Sequence, residues 1–360
     1  MSEMVKHSMQ KKWVAMAALA LVGGAAAAQS SVTVYGNIDL GLLWQNNAAP
    51  TVSSPQVYNG GIAPSIWGFR GSEDLGNGLK ANFNLESHFS ADTGASVGPL
   101  FRRQANIGLS SASLGTLTLG TMYSPAVLAF AATDPRGLRE NFSGLFSWAY
   151  NSGLLAGPNT NSDLGVFIHN AISYSNTVGP VNLALGYSVA ENNPVGPTGG
   201  AVLALGATYS GPVSLSAAYQ ATNRANTSDR LSTVYSVGAG YTVGALTGKL
   251  NYLRGTNKDA AGSEVSNVEV VGLGLDWKLA SNNTVIAAIY HGRDKNADNN
   301  KTTSFILSDE YALSKRTTLY ATLAYVDADA NANLLTTIVA GGTSANTNAT
   351  LLNVGIKHSF

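Results

Sequence analysis

From residue 31 onward, apolar and small polar residues alternate along the chain with a period of two. In Val181-Asn-Leu183-Ala-Leu185-Gly-Tyr187-Ser-Val189 the odd positions are apolar and the even ones are Asn, Ala, Gly and Ser. The pattern returns at 213–219 and 319–325, and Leu203, Leu205, Ala207 and Tyr209 form another such face. Successive side chains of a strand point to opposite faces, so each segment predicts a strand with one greasy and one small, polar face. About sixteen such segments lie near 31–45, 63–73, 79–91, 100–112, 116–123, 165–176, 181–190, 201–210, 213–222, 231–242, 246–255, 265–280, 284–293, 302–313, 317–327 and 348–360. Tight turns rich in Gly, Pro, Asn and Ser, as at 74–78, 113–115, 211–212 and 243–245, alternate with long polar connections such as 46–61, 191–200 and 328–347. All short loops therefore fall at one end. An even count is what a closed antiparallel barrel with both termini on one side requires. Most segments approach the roughly 9–11 residues that cross a bilayer at strand tilt.

Composition decides which face is outside. Only 12% of the 360 residues are charged, against about 25% in soluble domains. A soluble sandwich would carry Lys and Glu on its polar face; here that face is Ser, Thr, Asn, Gly and Ala. A water-filled lumen accounts for this, with the apolar face toward lipid, where a charge costs about 2–4 kcal/mol at the midplane. No backbone edge stays open in hydrocarbon, so the sheet must close. Tyrosines at strand ends (Tyr35, Tyr187, Tyr209, Tyr219, Tyr241, Tyr252, Tyr290 and Tyr325) fit aromatic girdles. The alternative is a secreted sandwich or β-helix. The expected fold is thus all-β: a 16-stranded antiparallel transmembrane β-barrel.

Residues 1–28 read as a secretory signal peptide rather than a short N-terminal helix. Lys11-Lys12 precedes an apolar run at 13–22 and a row of small residues ending at Ala28. Its removal leaves residues 29–360 as one barrel domain with 18 basic and 20 acidic groups. Zero Cys excludes a disulfide framework, a zinc ribbon and a thiol nucleophile. Balanced charge argues against a nucleic-acid partner. His88, His169 and His291 lack partners at metal-ligand spacing, and no nucleophile elbow, Walker loop or dinucleotide fingerprint occurs. Neither metal, cofactor nor enzymatic activity is expected. Residues 124–164 do not alternate, and forty residues are too many for an idle loop. In a barrel this wide the segment could fold inward as a constriction; an external flap or a subunit latch are the other readings.

Several stretches carry a resemblance. Ser31-Val-Thr-Val-Tyr-Gly36, Trp67-Gly-Phe-Arg-Gly-Ser-Glu-Asp-Leu-Gly-Asn-Gly-Leu-Lys80, Arg103-Gln-Ala-Asn-Ile-Gly-Leu109 and Phe360 resemble the trimeric general porins of Gram-negative bacteria. The likeness is to beta-proteobacterial porins of the Bordetella and Burkholderia type. It implies a cell outer-membrane homotrimer that passively passes ions and small hydrophilic solutes, with weak charge selection and an inward third loop. It implies contact with outer-membrane lipid and lipopolysaccharide, and recognition of the strand ending in Phe360 by the outer-membrane assembly machinery. The family pattern opposes basic groups of the wall to acidic groups of the loop. Arg70, Arg102 and Arg103 match the basic positions. Glu86, Asp134 and Glu140 match the acidic ones. Three positions depart from the pattern: Ile66 and Phe167 stand where Arg is usual, and Asn37 where some enteric porins have Lys.

Parity supports part of this from the residues alone. Trp67 and Phe69 are apolar, so Ile66, Gly68 and Arg70 face the lumen; likewise Lys80, Asn82, Asn84, Glu86 and His88 face inward. For Arg102 and Arg103 parity leaves open which one faces the lumen. A substrate-specific channel and a catalytic barrel remain the competing functions.

Overall fold

The structure, a computed structural model, describes residues 31–47, 54–144, 148, 165–189, 200–224, 228–332 and 348–360. The proposed signal peptide and much of 145–164 lie outside the described residues. The first part of the chain forms β1 (Ser31–Gln45), β2 (Gln56–Asn59), β3 (Ile66–Gly76), β4 (Leu79–His88), β5 (Gln104–Ser111) and β6 (Gly115–Tyr123). A helix α1 (Pro125–Ala131) and a 3-10 turn (Glu140–Phe142) follow. The chain then resumes as β7 (Phe167–Val178), β8 (Val181–Ser188), β9 (Val202–Ser210), β10 (Val213–Asn223), β11 (Arg230–Val243) and β12 (Leu246–Lys258). It continues through β13 (Glu264–Ala280), β14 (Asn283–Asp294), β15 (Lys301–Ala312), β16 (Thr317–Ala328) and β17 (Ala349–Ser359).

From β3 to β17, each strand pairs antiparallel with the next, and β17 returns to β1 by pairing residues 351–359 with 37–45. On its other edge β1 meets β3 along 31–37 and β2 along 40–43. The short β2 therefore extends the edge that β3 begins, and the closed circumference has sixteen positions. The four-residue β2 falls inside the connection 46–61 that the pattern assigned to polar loop. Helix α1 likewise falls inside the non-alternating 124–164.

Alternation sorts the two faces as expected. Leu215, Val237, Leu250, Leu273, Phe305, Leu307 and Leu323 are exposed on the outer surface. Their strand neighbours Ser216, Ser236, Asn251, Ser308 and Thr322 are buried on the inner one. In water such an apolar belt would be a liability; in lipid it matches its solvent. Two tyrosines depart from the girdle. Tyr290 is fully buried on the inner face, and Tyr35 also points inward, toward Asn84 and Glu86. A core of buried apolar residues, including Leu43, Phe130, Phe142, Trp148, Val234, Leu253, Val268, Tyr290 and Val326, joins segment 124–144 and Trp148 to the inner faces of strands on both sides of the seam.

Candidate functional site

The site is built from segment 124–144 and the polar face it rests on. Ser124 caps α1, its Oγ accepting from Ala126 N at 3.2 Å and donating to Gln220 Oε1 at 2.5 Å. Pro125 suits the first helical position, where no amide donor is needed. The helix is apolar almost throughout and buries Ala126, Val127, Ala129 and Phe130. Beneath it the strands carry glycine on their inner face. A Cβ on Gly206 would stand 2.2 Å from Pro125 O, and one on Gly238 2.0 Å from Thr133 Oγ1. On Gly274 it would lie 2.7 Å from Pro135 Cβ, and on Gly272 2.9 Å from Pro135 Cγ. A glycine track across β9, β11 and β13 thus lets this backbone lie against the wall.

Beyond the helix the contacts become polar. Thr133 Oγ1 shares a 2.6 Å hydrogen bond with Ser216 Oγ and accepts from Asn251 Nδ2 at 2.8 Å. Asp134 is fully buried and accepts from Tyr290 Oη at 2.9 Å and from Leu138 N at 2.8 Å. Burial pushes its carboxyl up, while these donors pull the other way. Arg136 Nη1 donates to Ser308 Oγ at 2.5 Å and Nε to Phe142 O at 3.1 Å. Burial brings its guanidinium down to about 10, so it stays charged at neutral pH. Arg139 grips Glu310 with both arms, Nε to Oε1 at 2.8 Å and Nη2 to Oε2 at 3.0 Å. Burial alone would push Arg139 down, but the Glu310 carboxylate outweighs it and raises the group.

A second cluster lies on β3 to β7. Arg103 Nε meets Glu86 Oε1 at 2.9 Å, both side chains about 5% exposed. The Arg103 guanidinium stacks over the Tyr123 ring at 5.6 Å and the Phe167 ring at 5.1 Å, and also donates to Tyr123 Oη. Glu86 Oε2 accepts from Tyr35 Oη at 2.8 Å and from Gln104 Nε2 at 3.3 Å. Arg70 is exposed and lies 5.0 Å above the Tyr35 ring. Lys80 is exposed too, level with Asp74 beside a tight turn. Asn37 Nδ2 donates to Pro64 O, and Ile66 is half-buried at the start of β3.

The sequence residues are thus distributed unevenly. Arg103 and Glu86 come together on the wall, with Phe167 stacked beneath the guanidinium. Arg102 stands in a bend before β5, its Nη1 donating to Val97 O at 3.1 Å. Asp134 is turned into the wall rather than toward water. Glu140 opens the 3-10 turn, and its side chain lies outside the described residues. The opposition expected between basic wall and acidic loop is reversed at one contact, where the loop supplies Arg139 and the wall supplies Glu310. Sequence reasoning missed Arg136, Arg139, Tyr290 and Glu310. The available signal was glycine recurring on the inner parity of β9, β11 and β13.

A family model described as Gram-negative porin matches residues 15–331. The chain belongs to the Gram-negative porin family. The porin is 31% identical to outer membrane porin protein 32 of Delftia acidovorans, over 98% of this chain and all of the relative. It is also 31% identical to an outer membrane porin protein of Bordetella pertussis, over the same shares. Among solved structures it superposes on an anion-selective porin from Comamonas acidovorans with a TM-score of 0.78 and 27% identity, covering 92% of this chain and 100% of that one. The protein is accordingly a porin of the outer membrane: a channel, not an enzyme.

Proposed function

We propose that this porin is a passive diffusion channel whose lumen is narrowed by segment 124–164. Small hydrophilic solutes and ions pass down their gradients. The observation that carries this reading is the bond series from Ser124 to Arg139 along the polar face, laid over a glycine track. Size exclusion follows from the narrowed section. Charge selection follows from which lumen charges remain open to water. Arg103 and Glu86 neutralise each other in a buried pair, and Arg139 is matched by Glu310. Arg70 is an exposed basic group of the opposite wall, which supports a weak anion preference, whereas Lys80 is offset by Asp74 across the ladder. The Comamonas relative is anion-selective.

The homotrimer, contacts with outer-membrane lipid and lipopolysaccharide, and recognition of the Phe360 strand by the assembly machinery belong to the same reading. So do the signal peptide and its cleavage. Phe360 ends the seam, exchanging backbone hydrogen bonds of 3.0 and 3.2 Å with Gly36. Conductance in planar bilayers tests the channel. Deleting residues 130–142 is expected to raise single-channel conductance, and an unchanged value would remove the constriction from the reading.

A further inference from the structure

Between β2 and β3 the chain leaves the sheet. Asn59 ends β2 opposite Leu40 of β1, and Ile66 begins β3 opposite Asn37. Residues 60–65 therefore stand against only Ile38 and Asp39, and the surplus must fold to one side of the wall. Its partners show which side. Asp39, on the inward parity of β1, is fully buried, and its Oδ2 accepts from Ile62 N at 2.8 Å and Ala63 N at 2.7 Å. Its Oδ1 accepts from Tyr320 Oη at 2.6 Å, on the inner face of β16. Gly61 lies against that tyrosine: a Cβ there would stand 2.3 Å from Tyr320 Oη and 2.5 Å from Asn353 Nδ2 of β17. Residues 60–65 thus lie inside the barrel, over the seam.

Both ends of this segment are held. Gly60 N donates to Asp39 O at 3.1 Å. Ser65 Oγ accepts from Asp39 N at 3.1 Å and donates to Asn59 Oδ1 at 2.7 Å. From segment 124–144, Asn141 Nδ2 donates to Gly60 O at 3.2 Å, so the two segments meet. A carboxylate that takes three donors, two of them consecutive backbone amides, fixes the path of the backbone as well as its position. Gly60, Gly61, Ile62 and Ser65 are buried, whereas Ala63 and Pro64 are half-buried. The side of the segment away from the wall is the lumen, so Ala63 and Pro64 are open toward permeating solute.

We propose that residues 60–65 form a second inward segment of the channel, that Ala63 is a specificity-determining position on the lumen, and that Asp39 is the positioning residue that holds it there. This rests on the diffusion-channel reading and gives the narrow section a second border, on the seam side, facing the strands that carry 124–144. Gly60-Gly-Ile-Ala-Pro-Ser65 has no charge of its own. It limits width without selecting ions, and a charge placed at position 63 acts directly on each passing ion.

The chain has no cysteine, so Ala63→Cys in the full-length porin offers one thiol. In planar bilayers, a sulfonate-bearing methanethiosulfonate adds a negative charge there, and a trimethylammonium-bearing one a positive charge. The sulfonate is expected to raise the cation-to-anion permeability ratio about threefold, and the ammonium to lower it by a similar factor. A unit charge met at about 6 Å in water at about 0.1 M salt has that effect. Ser113→Cys, at a tight turn, is expected to take up either reagent with the ratio unchanged. Combined with Ala63→Cys, Asp39→Asn and Tyr320→Phe are each expected to cut the sulfonate's shift by about half or more, with heat-modifiable migration showing a folded barrel. If Asp39→Asn does not fold, Tyr320→Phe decides the positioning role. A thiol at 63 that resists both reagents, or takes them up with the ratio unchanged, overturns the lumen position, as does an equal shift from Ser113→Cys. A full shift in the folded anchor variants overturns the role of Asp39. A wild type that does not conduct sinks the diffusion-channel reading and this one together. Conductance unchanged by deletion of 130–142 removes the other border alone.

Discussion

Replacing Glu310 by Gln isolates the tie between segment 124–144 and the wall. Gln keeps the size of the side chain and one carbonyl acceptor. It removes the charge that Arg139 grips through two bonds of 2.8 and 3.0 Å. Hydrogen bonds to charged groups contribute about 1.5–3 kcal/mol net. The Arg139 side chain is 29% exposed, so solvent screens part of the pair, and about 2 kcal/mol for the whole tie is reasonable. At about 1.4 kcal/mol per decade, the undocked population of residues 136–142 should rise roughly 30-fold. The chain has no cysteine, so Leu138→Cys supplies a unique reporter on the half-buried loop tip. Its labelling by a membrane-impermeant thiol reagent is expected to accelerate by that factor in the Glu310→Gln background. The exchange of Arg139→Glu with Glu310→Arg should bring the rate back toward its starting value. A rate that stays within twofold in Glu310→Gln would refute the tie. Loss of rescue would show that the single variant acted through something other than the pair.

Other outcomes follow from the same geometry. Arg70→Ala is expected to shift the reversal potential in a salt gradient toward cation preference; no shift would remove Arg70 from selectivity. Gly238→Val would set a Cβ about where Thr133 Oγ1 now lies, so the two hydrogen bonds of Thr133 must break. With overpacking of about 1–3 kcal/mol added, the loop should leave the wall there, read as altered or noisy single-channel conductance. Arg103→Ala leaves Glu86 charged and buried, and should cost about 3–5 kcal/mol, seen as a lower temperature of the unfolding gel shift. For Asp134 the folded carboxyl is raised, so its neutral form is favoured when docked. Its contribution to docking is therefore full below the ordinary Asp value of about 3.9 and is lost as pH rises through the higher folded value. Labelling of Leu138→Cys, taken relative to a free-thiol standard at each pH so that thiol ionisation cancels, should accelerate with pH above about 4, and Asp134→Asn should flatten that response.

The sixteen strand positions were legible because two solvents act on every strand at once. Lipid on one face and water on the other impose a strict period of two, which survives in the residues themselves, and β1 spans the range that the pattern assigned. The short strand β2 was not legible, since four residues carry too little periodicity to separate them from a loop. Within 124–164, what the pattern could not express was the set of partners. Thr133 reaches Ser216 and Asn251, Asp134 reaches Tyr290, and Arg139 reaches Glu310, each far away along the chain. Local patterning holds no trace of such pairings. Parity placed Arg70, Lys80 and Glu86 on the polar face, but it could not show that Glu86 is taken up by Arg103, because that depends on the bend before β5.

The seam between β1 and β17 makes assembly a single event. Residues 37–45 hydrogen-bond to 351–359, partners more than 300 positions apart. Until β17 arrives, β1 and β16 both present bare amides and carbonyls that hydrocarbon cannot satisfy. A barrel lacking its final strand therefore has no stable smaller version of itself in the bilayer. Proteolytic loss or truncation of the last ten residues should remove the whole channel rather than narrow or weaken it, and the membrane should hold either complete pores or none.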